Sequence, residues 1–494
     1  MATMSVDDAP QTVSAEPLGA DEGTEESTAE RPRGNKLWIP FVFILLIVTT
    51  GMVWTLWVGG HLWHNSNPHY WWTPGDIWQT FQDAGNVYYM QIRDLYSGSS
   101  LITLPGIAVL LAPVYAITVH WNLMQSYPFQ VPHPSAYLVL GPYMMLLGSL
   151  VLIPLYQVGR RLGMSYRMSV LSMVVQTAIV WQVTVLWGHP EDTLSVTFAL
   201  WAIMAYWDRR IMGSAWLWGV AIVFQPLVVP VLFLWFAFVP GRRWLSSAWR
   251  IALPTFLLLL GPLVRKPTAT LNAITKQPQQ VQLNHATPWL ALVPKLGEQT
   301  VPANPIGSIL QKGHFRMQNG HQVVVHGASV LHETSVSAGL GRFVAVMLSL
   351  LVAVMFYFWH RRDPERNVLS PVAYLWAAGF ILFLRIFTEP VLVPYYLWGP
   401  AAVLLLVAAV VRPKALWFLL PLNMFAIAWS YHRIGEWAYW LPIQAVFLVS
   451  LWAARTPIPR AVFDLRNILA SPPGTPAAAG NSPEPPDTPN VTPL

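Results

Sequence analysis

The chain has 494 residues, of which 54% are hydrophobic and only 11% are charged. A soluble domain carries about 25% charged residues, so this composition excludes an ordinary soluble enzyme. The apolar residues stand in long runs rather than in alternation, which excludes a β-barrel porin, a coiled coil and a disordered chain. The 26 Trp suit a protein with two membrane interfaces. We therefore predict an all-α polytopic membrane protein.

The two ends of the chain differ from its apolar body. Residues 1–36 hold eight acids and three bases, and residues 455–494 are rich in Pro, Ser, Thr and Ala. Such segments bury too little apolar surface to fold, so we predict disordered cytoplasmic tails that are acidic at 1–36 and Pro-rich at 455–494. A transmembrane domain at 37–454 lies between them.

Ten apolar stretches match the roughly 20 residues that a spanning helix needs. The bases between them mark cytoplasmic loops by the positive-inside rule, which places both termini in the cytoplasm of a multi-pass plasma-membrane protein. The predicted spans are 37–57, 135–158, 168–187, 191–207, 248–264, 341–359, 370–387, 391–410, 414–431 and 436–453.

Two further apolar stretches are not expected to cross the membrane. Leu101–Trp121 contains Pro105 and Pro113 and is predicted to form an interfacial or re-entrant helix. If it crossed, every later basic loop would move to the outer side. The segment 214–239 is broken at Phe224-Gln225-Pro226, which predicts a membrane hairpin of two half-helices.

Two large loops, 60–134 and 265–340, then fall on the outer side and are expected to cap a cavity. An acid beside the membrane is energetically costly, so the carboxylates on this side are functional candidates. There are nine: Asp76, Asp83, Asp94, Glu191, Asp192, Glu298, Glu333, Glu389 and Glu436.

Asp76 follows a Pro-Gly turn soon after the first span. It suits the N-cap of a helix running from Ile77 toward Tyr96, and it equally suits a general base that accepts a proton from a hydroxyl. Both can hold for one residue. Asp83 lies two helical turns further along, and Asp94 adjoins Arg93, with which we predict a structural ion pair.

His189, Glu191 and Asp192 lie in a short outer turn between two predicted spans. One acid could cap the second helix, with Pro190 in its first turn. Two adjacent acids and a histidine exceed what a cap needs, so we expect them to bind substrate. His-x-Glu-Asp is not an established metal-binding spacing, so no metal ligand is assigned, and a divalent cation stays an open alternative.

Arg385 and Glu389 are four residues apart near the outer end of a span, hence on one helical face. They form either an internal ion pair or a site in which Arg385 grips a phosphate, which guanidinium groups do well. Lys276 and His285 add candidate substrate-binding side chains in the second outer loop.

Several kinds of chemistry have no support in the sequence. There is no Walker loop, no Gly-rich dinucleotide motif, no His-Glu-x-x-His, no nucleophile elbow and no Cys. ATP hydrolysis, redox cofactors and zinc proteolysis are therefore not predicted. The bases follow membrane topology rather than forming a nucleic-acid patch.

Five motifs follow one another in a set order along the chain. They are Asp76 after the first span, the run from Leu104-Pro105-Gly106 to Leu110-Leu111-Ala112-Pro113, Gly159-Arg160-Arg161-Leu162-Gly163, Glu191-Asp192 and Phe224-Gln225-Pro226. This order resembles the GT-C superfamily of integral membrane glycosyltransferases. The likeness covers roughly residues 37–453, and it is strongest to actinobacterial members that use polyprenyl-phosphate sugars, including mannosyltransferases. The chain departs from the family at Gln225, where many relatives carry Lys, and it lacks the paired acids some relatives have in the first loop.

This resemblance implies an inverting transfer of a sugar, most simply mannose-like, from a polyprenyl phosphate to a hydroxyl of a cell-envelope glycan or glycolipid on the outer face. It implies that Asp76 is the base and that Arg385 or Lys276 holds the lipid phosphate. Glu191 or Asp192 would orient the sugar or the acceptor. Two other hypotheses stay open: a transporter or flippase for a lipid-linked sugar, and a non-catalytic membrane scaffold.

Overall fold

A computed structural model describes the chain from Leu37 onward, with gaps. The described residues are 37–64, 75–96, 104–123, 134–276, 280–282, 285–300, 314–318, 321–325, 332–337, 339–431, 435–456, 458 and 462. Helices dominate these residues, so the prediction of a mostly helical protein is confirmed.

Sixteen α-helices lie within the described ranges. They are α1 (Trp38–His64), α2 (Gly75–Tyr88), α3 (Gly106–His120), α4 (Pro134–Ser149), α5 (Leu152–Arg161), α6 (Tyr166–Trp181), α7 (Pro190–Trp207), α8 (Ile211–Phe224), α9 (Val229–Phe238), α10 (Trp244–Arg265), α11 (Pro267–Lys276), α12 (Gly339–Arg362), α13 (Pro371–Thr388), α14 (Trp398–Val411), α15 (Leu416–Trp429) and α16 (Glu436–Ala453).

Seven helical stretches in the described residues are long and apolar enough to cross a membrane. They correspond to α1, α4 with α5, α6, α10, α12, α13 and α14, and each coincides with a predicted span. The other three predicted spans form α7, α15 and α16, which are helical but shorter or less apolar. Membrane insertion through several helices thus agrees with the sequence, whereas the count of ten spans stays a prediction.

The helices within the two stretches predicted not to span are each too short to cross a membrane alone. Helix α3 has 15 residues, a length of about 22 Å, against a hydrocarbon core of about 30 Å. Helix α8 ends at Phe224, and Gln225 has extended dihedral angles (φ −156°, ψ 130°). The ring of Pro226 keeps Gln225 out of the helical region, so the predicted break between half-helices is confirmed.

Helix α2 is shorter than the predicted one. It begins at Gly75, so Asp76 lies inside the first turn rather than at the N-cap. It ends at Tyr88 rather than continuing to Tyr96, and Met90 follows with a left-handed φ of 59°. A 3-10 turn at Ile92–Asp94 comes next, and there Arg93 and Asp94 form the predicted ion pair at 3.6 Å.

The predicted second outer loop, 265–340, contains strands, which the all-α prediction did not include. Strand β5 (His332–Ser337) is the centre of a three-stranded antiparallel sheet, between β1 (Gln280–Gln282) and β2 (Lys295–Thr300). Strands β3 (His314–Gln318) and β4 (His321–Val325) pair as a separate antiparallel hairpin. This region thus has its own short backbone scaffold.

The helices approach closely where side chains are small or polar groups pair. A Cβ at Gly51 of α1 would lie 2.6 Å from the sulfur of Met145 in α4, so a larger residue there would force neighbouring side chains to shift. The buried side chain of Gln176 in α6 donates a 2.9 Å hydrogen bond to the carbonyl of Ala402 in α14. In a membrane such interhelical contacts, rather than a hydrophobic effect between helices, hold the bundle together.

The basic loops between the helices contain exposed ion pairs. Arg161 donates to both carboxylate oxygens of Asp208 at 2.9 Å and 3.0 Å, and Asp363 lies 3.7 Å from Arg366. All four side chains are well exposed. These acids are therefore part of solvated surface pairs and not of a buried site.

Candidate functional site

His189, Glu191 and Asp192 come together at the start of α7. Nδ1 of His189 lies 2.6 Å from Oε1 of Glu191, and all three side chains are buried. Pro190 is the first helical residue, and both acids lie in the first turn without forming the N-cap. The interpretation of these acids as caps is therefore wrong. Their negative charges lie at the positive end of the helix dipole, which favours anions.

A π-helical turn, Gln182–Trp187, connects α6 to this group. It ends at Gly188, whose φ of 67° is a left-handed conformation that glycine adopts at no steric cost. Isolated π-helical turns are rare and occur frequently at functional sites. The backbone thus departs from regular helix directly before the buried histidine and acids.

Asp192 links this group to the break between α8 and α9. The side chain of Gln225 hydrogen-bonds Asp192, and the carboxylate also interacts electrostatically with Arg385. The carbonyl of Gln225 accepts a 2.8 Å hydrogen bond from Oγ of Ser195, which holds the break against α7. Oδ2 of Asp192 is buried and has no hydrogen-bond partner among the described residues. This oxygen can therefore accept a hydrogen bond from a ligand hydroxyl.

Two arginines share the fully buried carboxylate of Glu389. Nε of Arg342 lies 3.2 Å and 3.3 Å from its two oxygens, and Nε of Arg385 lies 3.9 Å from Oε2. The predicted pair of Arg385 and Glu389 is thus present, and Arg342 joins it from the first turn of α12. Arg342, Arg385 and Glu389 form an arginine cluster in which one carboxylate lies between two guanidinium groups, so these three side chains together have one surplus positive charge.

Arg385 has hydrogen-bonding capacity to spare. Its guanidinium carbon lies 4.2 Å from the ring centroid of Tyr396 in a cation–π contact. It donates no hydrogen bond to any other described residue, and 19% of its side chain is exposed. Arg342 is more firmly held, since it also reaches the Tyr396 hydroxyl at 3.4 Å. Of the two arginines, Arg385 is the one available to an anion.

The segment that begins at His285 packs against the backbone that follows Glu389. Thr287 donates to the carbonyl of Pro390 at 2.9 Å through its backbone N–H and to the carbonyl of Glu389 at 2.7 Å through its hydroxyl. The His285 carbonyl accepts a 3.0 Å hydrogen bond from the backbone N–H of Leu392, and its side chain is buried. The structure therefore places His285 beside Leu392, three residues after Glu389, and its substrate-binding role stays a prediction.

The two remaining predicted residues have side chains outside the described residues. The backbone places Asp76 in the first turn of α2 and Lys276 at the last position of α11. Asp83, two turns after Asp76, is buried. Burial, together with the Asp83 carboxylate, raises the pKa of Tyr96, so these two side chains lie close together on the predicted outer side.

An apolar groove of about 660 Å³ lies between α1, α3 and α4. The only hydroxyl in its lining belongs to Tyr143 and donates a 3.0 Å hydrogen bond to the carbonyl of Leu110. Helix α4 also reaches the site, because a Cβ at Gly148 would touch Thr184 of the π-helical turn. The lining residues are Phe41, Ile44, Leu45, Val48, Pro113, Val114, Ile117, Leu138, Val139, Pro142, Tyr143 and Leu146.

Sequence reasoning missed Arg342 and Tyr396. A base at the predicted outer end of a span is unusual under the positive-inside rule, so Arg342 carried a signal that could have been used. Tyr396 carried none, because aromatic residues are common at membrane interfaces. Its role becomes visible only once Arg385 is seen above its ring.

Comparison with protein-family models, with curated proteins and with solved structures finds no match. Among the residues the structure describes, no group of three or more His, Asp or Glu side chains is placed to hold a metal ion.

Proposed function

We propose that this protein is a GT-C-type membrane glycosyltransferase that transfers a mannose-like sugar from a polyprenyl phosphate to a hydroxyl of a cell-envelope glycan or glycolipid. Transfer takes place at the outer face of the plasma membrane. The observation that carries the proposal is the proximity of the Asp192 carboxylate to Arg385. A carboxylate that receives a hydroxyl and a cation that receives a phosphate suit the two ends of such a reaction.

The proposed reaction needs no nucleotide. The oxygen of the acceptor hydroxyl attacks the anomeric carbon from the side opposite the phosphate, so the configuration inverts. The bond between that carbon and the phosphate oxygen breaks, and its electron pair leaves with the polyprenyl phosphate. The hydroxyl proton passes to a carboxylate, for which Asp76 is the proposed base.

The described side chains support the other roles in this reaction. Arg385 binds the phosphate, and Arg342 holds Glu389 so that the shared carboxylate does not occupy Arg385 fully. Asp192 and Glu191 orient sugar or acceptor hydroxyls, since a buried carboxylate with a vacant oxygen accepts such hydrogen bonds.

The apolar groove supports a lipid-linked donor. Its lining contains no charged side chain, so it suits a hydrocarbon chain and not a sugar or a nucleotide. Because α4 lines the groove and also contacts the π-helical turn, the same helix serves the lipid chain and the reacting end of the donor.

The test uses the full-length protein in lipid nanodiscs with radiolabelled mannosyl farnesyl phosphate and a cell-envelope glycolipid fraction as acceptor. Wild type should form labelled glycolipid and release farnesyl phosphate. Asp76→Asn and Arg385→Gln should each lose about 100-fold or more of this activity, the usual contribution of a general base or an electrostatic contact. Asp208→Asn, in a surface pair, is the matched control and should stay active.

Two other results would replace the proposal. If wild type forms no product but moves the labelled lipid across proteoliposome membranes, the protein is a flippase. If it does neither and binds no farnesyl phosphate, the scaffold hypothesis is favoured. Full transfer activity in Asp76→Asn would remove Asp76 from its role as base.

A further inference from the structure

An aromatic surface adjoins the carboxylate group at the start of α7. The ring centroid of Trp187 lies 5.7 Å from that of Tyr395 and 5.5 Å from that of Tyr431. All three side chains are half-buried, so part of each ring stays accessible. They come from three separate segments: the π-helical turn, the 3-10 turn before α14, and the residues after α15.

The orientation of Trp187 is fixed by hydrogen bonds. Its indole Nε1–H donates to the Tyr431 hydroxyl at 2.8 Å, and that hydroxyl donates to Oε1 of Gln182 at 2.9 Å. Gln182 and Trp187 are the first and last residues of the π-helical turn. The irregular backbone therefore presents one aromatic plane in a set direction, which simple packing of an interfacial tryptophan does not require.

The aromatic surface is continuous with both polar parts of the site. On one side the Tyr395 ring stacks on His189 at 3.9 Å, and His189 is bonded to Glu191. On the other side Tyr395 contacts Tyr396 at 4.9 Å, and Arg385 lies over Tyr396. An extended ligand can therefore contact cation, aromatic rings and carboxylates in succession.

A hexose has the chemistry that this succession requires. One face of the sugar ring presents C–H groups that pack on an aromatic plane, whose π face is electron-rich. Its hydroxyls donate hydrogen bonds, which carboxylates accept. A hydrocarbon chain would leave the buried Glu191 and Asp192 without hydroxyl partners, whereas the apolar groove between α1, α3 and α4 offers it a site without charge.

We propose that Trp187, Tyr395 and Tyr431 form the subsite for the sugar of the lipid-linked donor, with the donor phosphate at Arg385. This inference rests on the proposed function and deepens it by separating a sugar subsite from a phosphate subsite. Trp187 provides the stacking plane, Tyr431 fixes that plane, and Tyr395 connects it to the phosphate end.

The experiment compares two probes that differ by the sugar alone. One is farnesyl phosphate, and the other is a farnesyl mannosyl phosphonate in which CH₂ replaces the glycosidic oxygen, so that no turnover occurs. Dissociation constants are measured for the full-length protein in nanodiscs. Wild type should bind the phosphonate at least tenfold more tightly than farnesyl phosphate.

The variants assign that difference to residues. Trp187→Leu should abolish the preference for the mannosyl probe and leave farnesyl phosphate binding unchanged, and Trp187→Phe, which keeps an aromatic face, should retain part of it. Arg385→Gln should weaken the binding of both probes by the same factor. The control is Trp181→Leu. Trp181 is another half-buried tryptophan, and its indole N–H donates a 3.1 Å hydrogen bond to Oγ1 of Thr50. It should behave like wild type.

Each other outcome overturns a stated part. The aromatic group has only a structural role if wild type binds the two probes equally. The same conclusion follows if Trp187→Leu loses the same affinity for both probes. An unchanged preference in Trp187→Leu likewise overturns the subsite. If wild type binds neither probe, the proposed function itself fails, and the subsite fails with it.

Discussion

Glu389→Gln should destabilise the folded protein more than any other single neutralisation of an acid in the described residues. The wild-type side chain is 0% exposed and lies between Arg342 and Arg385. The substitution keeps the shape of the side chain but removes its charge. Two guanidinium groups then face each other across a neutral amide, without the anion that offset their repulsion.

The magnitude follows from the distances and the exposure. At an effective dielectric constant of about 20, unit charges 3.2 Å apart, as for Arg342 and Glu389, attract by roughly 5 kcal/mol, and desolvation offsets part of this. Removing one partner of a buried pair costs about 3–5 kcal/mol. Because 20% of the Arg342 side chain and 19% of the Arg385 side chain stay exposed, water relieves some of the penalty. We therefore expect about 3 kcal/mol.

The assay is equilibrium unfolding of the purified protein by SDS titration, followed by tryptophan fluorescence. Glu436→Gln is the matched control, since it makes the same chemical change at a partly exposed acid in the first turn of α16. It should cost less than about 1 kcal/mol, the usual value for a charge at a helix end. Equal unfolding free energies for the two variants would refute the reasoning, because the arginines would then not depend on Glu389.

Two further substitutions test the packing. Gly341→Ala would press the new Cβ against the carbonyl oxygen of Thr388, so this variant should lose about 2 kcal/mol or more of unfolding free energy in the same assay. The control is Gly399→Ala, whose Cβ would meet no atom within 4 Å and which should lose almost nothing. Similar losses for both variants would contradict the close approach of Gly341 to Thr388. Arg161→Met removes the ion pair with Asp208. Because the two side chains are 44% and 39% exposed, the unfolding free energy of the variant should fall by less than about 1 kcal/mol. A loss of several kcal/mol would show that the pair is not a simple surface contact.

The order of helices could be predicted because it depends on local composition. A run of about 20 apolar residues forms a spanning helix wherever the bilayer must satisfy its backbone, whatever its neighbours are. The break at Phe224-Gln225-Pro226 is equally local, since Pro226 alone keeps Gln225 out of the helical region. The strands between residues 280 and 337 could not be predicted in this way. Their pairing joins β1 and β2 to β5, which lies more than 30 residues away along the chain.

The candidate site was predicted only in part. Adjacent acids at 191–192 and the spacing of Arg385 and Glu389 are visible in the sequence, and the structure places both groups within electrostatic range of each other. The pairing of Arg342 with Glu389 is not visible, because the two residues lie 47 positions apart along the chain. The same holds for Trp187, whose ring is oriented by Tyr431 at a separation of 244 positions.

The scarcity of charge, read from the sequence alone, established a helical membrane protein and reduced its chemistry to a short set of acids and cations. This conclusion depends on the free energy of transferring each residue into a bilayer, and the sum of these free energies is determined by the composition of the chain. Only the tertiary structure decided which of these groups meet. The electrostatic interaction of Asp192 with Arg385, the ion pair of Arg342 with Glu389 and the hydrogen bond of Trp187 to Tyr431 depend on how distant helices pack. Helix packing is set by side-chain shape across the bundle rather than by local sequence.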